Sequence, residues 1–407
     1  GEIAARLYDN PSRQLYLIGI TGTDGKTSCA HILAQAIEYL GGRCGLLGTL
    51  GFGFLDDLKA PTHTTPDAVN LQRWIAYLRN EGADAVAMEV SSHALDQGRT
   101  NALEFDTAVL TNIGRDHLDY HGSVQAYVEA KRRLFESKGL AVVVLNRDDP
   151  QGRRWLKEMP EDVRPIAYGL GEWRQTRHAC FVNGEVETHS QGLSLKISSH
   201  AGKAVLNSHL LGRFNAYNLL AALAVLLEKG YGLDDVLKAL SQVRPVPGRM
   251  QAMGGGDQPL VVIDYAHTPQ AIRAALSALR AHCENQLWCV FGCGGDRDTG
   301  KRPLMAQAAH EIADHIVITD DNPRTESPGQ IVADILAGLP SADRNQVIHD
   351  RREAIAFALS QARPGDVVLV AGKGHEEYQI VGDQRLPFRD QTVVAQCLDM
   401  NQGAAHG

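Results

Sequence analysis

The sequence predicts an α/β protein of two domains, and three observations carry that prediction. Short apolar runs rich in β-branched residues alternate with helical patterns along most of the chain. A stretch with two prolines and a glycine, RPVPGRM from Arg244 to Met250, interrupts the alternation before a second series begins. The 407 residues exceed what one ordinary core holds.

In chain order, YLIGI (16–20), AVAMEV (85–90), TAVLTN (107–112) and AVVVLN (141–146) read as buried parallel strands. HILAQAIEYL (31–40), LQRWIAYLRN (71–80) and SVQAYVEAKRRLF (123–135) read as helices between them. Such a series makes a mainly parallel sheet with helices on both faces. Residues 178–211 break the rhythm. HACFVNGEVETHSQGLSLKISS alternates with period two around NG and QG turns, as a small antiparallel annex does. A long helix, NAYNLLAALAVLLEKG, follows. Beyond the linker, LVVIDY, LWCVFG, HIVITD and DVVLVAG are the strands of the second domain. The tail after Met400 is expected to fray.

Apolar residues make up 44 % and charged residues 22 %, as in ordinary globular chains. The net charge is −8, and no Lys/Arg cluster is interleaved with aromatics, which argues against nucleic acid as a partner. No apolar run approaches the roughly 18 residues of a membrane span. GEIAARLYDN has no apolar core and does not read as a signal peptide. Seven cysteines without a CxxC pair fit buried, reduced thiols rather than zinc. A cytoplasmic monomer is the expectation.

Directly behind the first strand stands TGTDGKTS (21–28). A strand, a glycine-rich turn and a helix opening at a lysine form a phosphate cradle. Backbone N–H groups at the helix start face the anion, and Lys26 adds a point charge. Thr27 or Ser28 can offer a hydroxyl to Mg²⁺. The spacing departs from GxxxxGK followed by Ser or Thr, because Ile20 occupies the first glycine position. An ordinary turn before a helix is the plainer alternative.

Catalytic groups in such sheets gather at the carboxyl ends of strands. Glu89 ends one buried strand, where a carboxylate is costly without a cation. It reads either as a magnesium ligand or as half of a buried ion pair. The next strand exits into TNIGRDHLDYHG, with Asp116, His117, Asp119 and His121. His117 is a metal-ligand candidate there, or a capped loop residue. Lys131, amid YVEAKRRLF, reads on its own as a surface lysine.

Nine motifs then occur in one order: GITGTDGKTS, EVSSHALDQGR, TNIGRDHLDYHG, YVEAKRRLF, LLGRFNAYNLLAA, DYAHTP, GCGGDRDTGKRP, DDNPR and AGKGHE. Together, and over nearly the whole chain, they closely resemble the Mur ligase family. The resemblance implies a central P-loop ATPase domain over 1–244. It implies a Rossmann-like C-terminal α/β domain over 245–407 that binds the amino-acid substrate. There are two departures. Asp24 stands where the family cradle usually has asparagine. The family also has an N-terminal domain that holds a uridine nucleotide, and this chain starts just before the cradle, so its first domain is expected to be missing.

The implied chemistry is acyl-phosphate ligation with ATP and Mg²⁺ in peptidoglycan precursor synthesis. The resemblance is strongest to members that add meso-diaminopimelate to UDP-N-acetylmuramoyl-L-alanyl-D-glutamate. By similarity, Gly22, Thr23, Asp24, Gly25, Lys26, Thr27 and Ser28 hold the nucleotide phosphates, and Asn215, Asn218 and His267 contact the nucleotide. Lys26, Glu89, His117 and Lys131 carry catalysis. Thr27 and Glu89 hold one magnesium, His117 helps hold a second, and Lys131 matches a carbamylated lysine that becomes an oxygen ligand. Thr64, Thr65, Ser91, Gln97 and Arg99 match positions that bind the UDP-linked substrate.

In the second domain, DDNPR follows the strand HIVIT. Arg324 can fork onto a carboxylate, while Asp321 and Asn322 hold an ammonium. Pro323, Arg297, Gly372 and Glu376 match further contacts to the amino acid. A plain Asn-Pro turn with a surface arginine is the alternative for this run. Two other functions compete. One is another amide ligase of the superfamily, such as a folylpolyglutamate synthetase-like enzyme. The other is a non-catalytic nucleotide-binding module, for which Asp24 is the hint.

Overall fold

A computed structural model of the chain describes residues 1–61, 63–171, 180–189, 191–340 and 345–405. The chain divides into two compact units. The first comprises Gly1–Glu187, Ser194–Ser208 and Phe214–Arg244, the second Thr188–Leu193, His209–Arg213 and Pro245–Gly407.

The large sheet of the first unit has eleven strands. From one margin they run Gly202–Ser208, Gly192–Ser199, Cys180–His189, Arg164–Leu170, Val142–Asn146 and Thr107–Leu110. The order continues through Tyr16–Thr21, Ala85–Glu89, Cys44–Gly48, Gly51–Phe54 and Asp57–Lys59. Tyr16–Thr21 lies centrally and pairs in parallel with Ala85–Glu89 and with Thr107–Leu110. The loops that leave these three strands therefore start side by side. Apolar side chains such as Leu17, Val86, Met88, Ala108 and Leu110 fill one core cluster with Leu71, Ile75 and Leu134. Burying each large aliphatic side chain contributes about 1.5–3 kcal/mol.

Side-chain caps fix where the helices around the site begin. Asp67 accepts from the amides of Val69 and Asn70 at the start of Ala68–Asn80. Ser91 caps Ser92–Asp96, and Ser123 caps Val124–Arg132. Each cap satisfies an amide that the helix leaves without a partner.

Three features differ from the sequence expectation. The 178–211 region, expected as a small antiparallel annex, extends the large sheet, and its first strand joins that sheet by pairing in parallel with Arg164–Leu170. Period-two alternation shows which face is buried, not which neighbour or direction a strand takes. Residues 178, 179 and Ser190 of that expected annex lie outside the described residues. Second, Gly51–Phe54 and Asp57–Lys59 add an antiparallel margin that a glycine-rich GFGF run does not announce. Third, the helix Asp390–Ala405 runs past Met400, where fraying is expected, although its core residues Val393, Val394 and Leu398 all precede that point.

The second unit has a six-stranded sheet in the order Gln251–Gly254, Leu260–Asp264, Val367–Ala371, Leu287–Phe291, His315–Ile318, Asn345–Val347. Only its first pair is antiparallel. Apolar clusters cover it with helices such as Pro269–Arg280, Lys301–His310 and Arg351–Gln361. A hairpin of Tyr378–Val381 and Gln384–Pro387 follows the strand Val367–Ala371.

Candidate active site

The cradle Gly22–Gly25 joins the strand Tyr16–Thr21 to the helix Lys26–Tyr39. Gly25 caps that helix at φ 85, and a Cβ there would stand 2.7 Å from Asn218 Oδ1. Glycine thus serves both a left-handed backbone and a close approach. The exit loop of Thr107–Leu110 holds the cradle in shape. Thr23 N donates to the Asn112 carbonyl at 2.9 Å, and Asp24 N donates to Asn112 Oδ1 at 3.0 Å. Thr111 Oγ1 donates to the Asp24 carbonyl at 2.6 Å. Lys26 Nζ curls back on the loop and donates to the carbonyls of Gly22 and Thr23 at 2.8 and 2.9 Å.

Glu89 is 1 % exposed. Its carboxylate accepts from Thr27 Oγ1 at 2.9 Å, from Thr49 N at 2.8 Å and from Thr49 Oγ1 at 3.1 Å. These donors answer the expectation of a buried ion pair: hydroxyls and an amide, not a basic side chain, offset its burial. Thr49 Oγ1 lies 3.2 Å from Thr64 Oγ1. Thr65 Oγ1 donates to the Glu89 carbonyl at 2.9 Å and accepts from Ser91 N at 3.0 Å. Arg99 reaches the Thr65 carbonyl at 2.8 Å and Gln97 Oε1 at 2.9 Å. Thr64, Thr65, Ser91, Gln97 and Arg99 therefore form one connected polar strip beside Glu89.

Lys131 departs from the surface reading of its own segment. It is 1 % exposed, and its Nζ donates to the Gly22 carbonyl at 2.8 Å. Its ammonium sits 4.6 Å from the centre of the Tyr127 ring. Burial pushes its pKa down to about 6, Lys26 pushes the same way, and Asp116 and Asp24 oppose. Tyr127 in turn shares a 3.0 Å hydrogen bond with Thr23 Oγ1. His117, in a left-handed conformation at φ 52, lies 6.3 Å from the Tyr127 ring and 4.7 Å from His93. His121 Nε2 lies 3.0 Å from Ser92 Oγ. The side chain of Asp119 lies outside the described residues. Asp24 is exposed, as is Asp116, so both carboxylates stand at the open face of this group. Asn218 donates to Asn215 Oδ1 at 3.0 Å, both side chains being buried beside the cradle.

The second unit brings together the DDNPR residues and the AGKGHE residues. Asn322 Nδ2 donates to Glu376 Oε2 at 2.9 Å. Gly372 has φ 114, and a Cβ there would stand 2.5 Å from Asp321 Oδ2. Asp321, Asn322 and Pro323 are buried and Arg324 is half-buried, so the run is not a plain surface turn. Arg324 holds a left-handed backbone at φ 52 and donates to the Gly295 carbonyl at 2.7 Å. Asp296 latches the same loop to Thr325 through Oδ1 at 2.7 Å, next to an exposed Arg297. The His267 side chain makes no hydrogen bond to this group among the described residues. Its ring packs 4.7 Å from Tyr265, which packs 5.1 Å from His375.

Sequence reasoning missed Thr49, Asn112, Tyr127 and Lys373, each of which bonds to or packs against a candidate residue. Asn112, Tyr127 and Lys373 lie within quoted motifs, whereas nothing about Thr49 stands out in the sequence. It also missed a Cys180, His200 and Glu228 group whose ligand-type atoms lie within 4.8 Å of one another. Arg164 already pairs with that glutamate, and His200 Nε2 is 3.5 Å from it.

Comparisons with known proteins show the family. The Mur ligase middle domain profile matches residues 20–226. The profile described as Mur ligase, glutamate ligase domain matches residues 248–374. The chain is 53 % identical over 388 residues to a UDP-N-acetylmuramoyl-L-alanyl-D-glutamate--2,6-diaminopimelate ligase of Ectopseudomonas mendocina, covering 95 % of this chain and 79 % of that one. The ligase of the same name from Coxiella burnetii is 49 % identical, with 96 % and 80 % covered. A solved structure of a ligase of that name is 40 % identical with a TM-score of 0.76, covering 98 % of this chain and 83 % of that chain. Mycobacterium tuberculosis folylpolyglutamate synthase, solved with ADP and AMPPCP, shares the fold at 21 % identity and a TM-score of 0.67, with 91 % of each chain covered. With matched domains over most of its length and relatives near half identical, the chain belongs to the Mur ligase family.

Proposed function

We propose that the chain is an ATP-dependent ligase that joins meso-diaminopimelate to UDP-N-acetylmuramoyl-L-alanyl-D-glutamate, releasing ADP and phosphate. One observation carries the reading: relatives bearing that ligase name are about half identical to the chain over 95 % or more of its length. ATP transfers its γ-phosphoryl group to the D-glutamate γ-carboxylate. The carboxylate oxygen then becomes part of a leaving group. The free amine of the incoming amino acid attacks the carbonyl carbon, a tetrahedral intermediate forms, and the C–O bond to phosphate breaks.

The cradle amides and Lys26 face the transferring phosphoryl group and offset its charge. Asn215 and Asn218 border the same cradle and contact the nucleotide, with His267 as a further contact. The strip from Thr64 to Arg99 takes the UDP-linked acceptor. Thr27 Oγ1 and Glu89 Oε2, 2.9 Å apart, are hard oxygen donors that fit Mg²⁺. They would hold one ion, and His117 with a carbamylated Lys131 would hold a second. Bound there, the metal supplies charge offset to the phosphates. A neutral Lys131 amine, favoured by burial, is the form that captures CO₂. Arg324 forks onto the distal carboxylate of the amino acid, with Arg297 beside it, and Asp321, Asn322 and Glu376 take the distal ammonium. The 1–244 part activates the acceptor and the 245–407 part selects the amine. No helix among the described residues is long and apolar enough to cross a membrane.

The test is phosphate release by the full-length protein with ATP, Mg²⁺, the UDP-dipeptide and a panel of amino acids. Turnover should appear with meso-diaminopimelate. Turnover only with a folate acceptor and glutamate, or nucleotide binding without any turnover, would establish one of the competing functions instead.

A further inference from the structure

Lys373 is fully buried. An ammonium carries three N–H donors. Lys373 Nζ gives one to Asn322 Oδ1 at 2.9 Å and one to the Tyr378 carbonyl at 2.8 Å. It then faces two carboxylates at equal range, with Asp321 Oδ1 and Glu376 Oε2 each 3.4 Å away. Those side chains are only 10 % and 19 % exposed. Two sheltered carboxylates this close to one another are costly without a cation. One lysine offsets one of the two charges. A surplus of one negative charge remains, enough for a single ammonium. Arg324, two residues beyond Asn322, supplies the opposite sign for a carboxylate. Arg351 and Asp390 are the other fully buried ions near this strand end. They close a pair of their own at 2.7 Å and leave the count unchanged.

We propose that Lys373 is a positioning and specificity-determining residue for the amino-acid substrate. It pins Asn322 and Glu376, and it sets the charge of the site to match a zwitterionic end group, an ammonium and a carboxylate on one carbon. A bare ammonium end leaves Arg324 without a partner. Without Lys373 the surplus rises to two negative charges, and preference moves toward bare cations. The inference rests on reading this unit as the amino-acid site.

The experiment compares wild type, Lys373→Met and Lys373→Met/Glu376→Gln. It measures kcat and KM for meso-diaminopimelate, for L-lysine and for ATP, with Tm for each protein. In Lys373→Met, KM for meso-diaminopimelate should rise on the order of tenfold while KM for ATP holds. The ratio of kcat/KM for meso-diaminopimelate to that for L-lysine should fall. The double variant removes one charge of each sign, so it should regain Tm and part of that ratio. An unchanged ratio in Lys373→Met overturns the role. So does a double variant that recovers nothing or, like the single, fails to fold, because Lys373 is then a structural post. Wild type that cannot use meso-diaminopimelate overturns the reading of the site itself, a different failure.

Discussion

Lys26 and Lys131, 105 positions apart in the chain (131 − 26), converge on one acceptor: each Nζ donates to the Gly22 carbonyl at 2.8 Å. Two ammonium groups on one oxygen repel, and burial already disfavours the charged form of Lys131. The phosphate loop therefore lowers the proton affinity of the very amine that the family resemblance marks for carbamylation.

Lys131 should react with CO₂ near neutral pH. Carbon-13 NMR with labelled bicarbonate should show a carbamate whose intensity grows as pH rises through about 6, the value to which burial holds the amine. A mutant lacking it, Lys131→Ala, should lose turnover that small carboxylates partly restore. No carbamate signal in active, magnesium-loaded protein would refute this. The same shift has a stability consequence with a definite sign. Between about 6 and the ordinary lysine value of 10.5, the unfolded chain binds the proton and the folded chain does not. The contribution of Lys131 to stability therefore improves as pH rises across that window. Denaturant titrations of wild type and Lys131→Met should differ in slope against pH there.

Asp24 offsets part of that effect, because its charge raises the Lys131 pKa. Asp24→Asn should move carbamate formation to lower pH. The labelled-bicarbonate titration reads this directly, and a shift to higher pH would contradict the assignment.

Lys26→Ala should keep the fold and lose phosphate release by roughly a hundredfold or more, as removal of a charge-stabilising donor does. Circular dichroism should be unchanged and the coupled phosphate assay nearly silent. Retained turnover would mean that the cradle holds no reacting phosphate.

Arg324 separates function from stability. Its guanidinium makes charge-assisted hydrogen bonds of roughly 1.5–3 kcal/mol each, so Arg324→Ala should cost about a hundredfold in kcat/KM for meso-diaminopimelate. Lys at 324 should not rescue it, since an ammonium lacks the planar fork. Arg324→Gly should lose the same activity yet match or exceed the Tm of Arg324→Ala, because glycine accepts φ 52 without strain. A Tm lower than that of the alanine variant would show that the backbone there is not strained.

What the sequence made legible was chiefly local. The cradle, the helix opening at Lys26 and the strand ending at Glu89 follow from spacing and apolar runs, because their geometry is set within a few residues. The partners of Glu89 were less legible: Thr27, 62 positions away, was joined to it only through the resemblance, and Thr49, 40 positions away, was not legible at all. Lys131 is flanked by Glu129, Arg132 and Arg133, so its segment looks like a solvated face. Only the docking of its helix beneath Gly22 buries it. Lys373 is hidden for a similar reason, since the hairpin Tyr378–Val381 supplies one of its acceptors. The parallel pairing of Cys180–His189 is a choice among neighbours, which alternation does not encode.

The eleven-stranded sheet ends in margins that resist growth. Asp57–Lys59 is three residues long, and Asp57 and Lys59 are exposed and paired at 2.6 Å. So short and charged a strand gives an incoming chain little ladder to grip. At the opposite margin, Gly202–Ser208 carries exposed Lys203 and Asn207 on either side of Val205, which is 59 % exposed. Exposed polar side chains of this kind disfavour edge-to-edge pairing with another chain. Replacing Lys203 with valine would put two exposed valines on that rim and should make it more prone to pair with other chains.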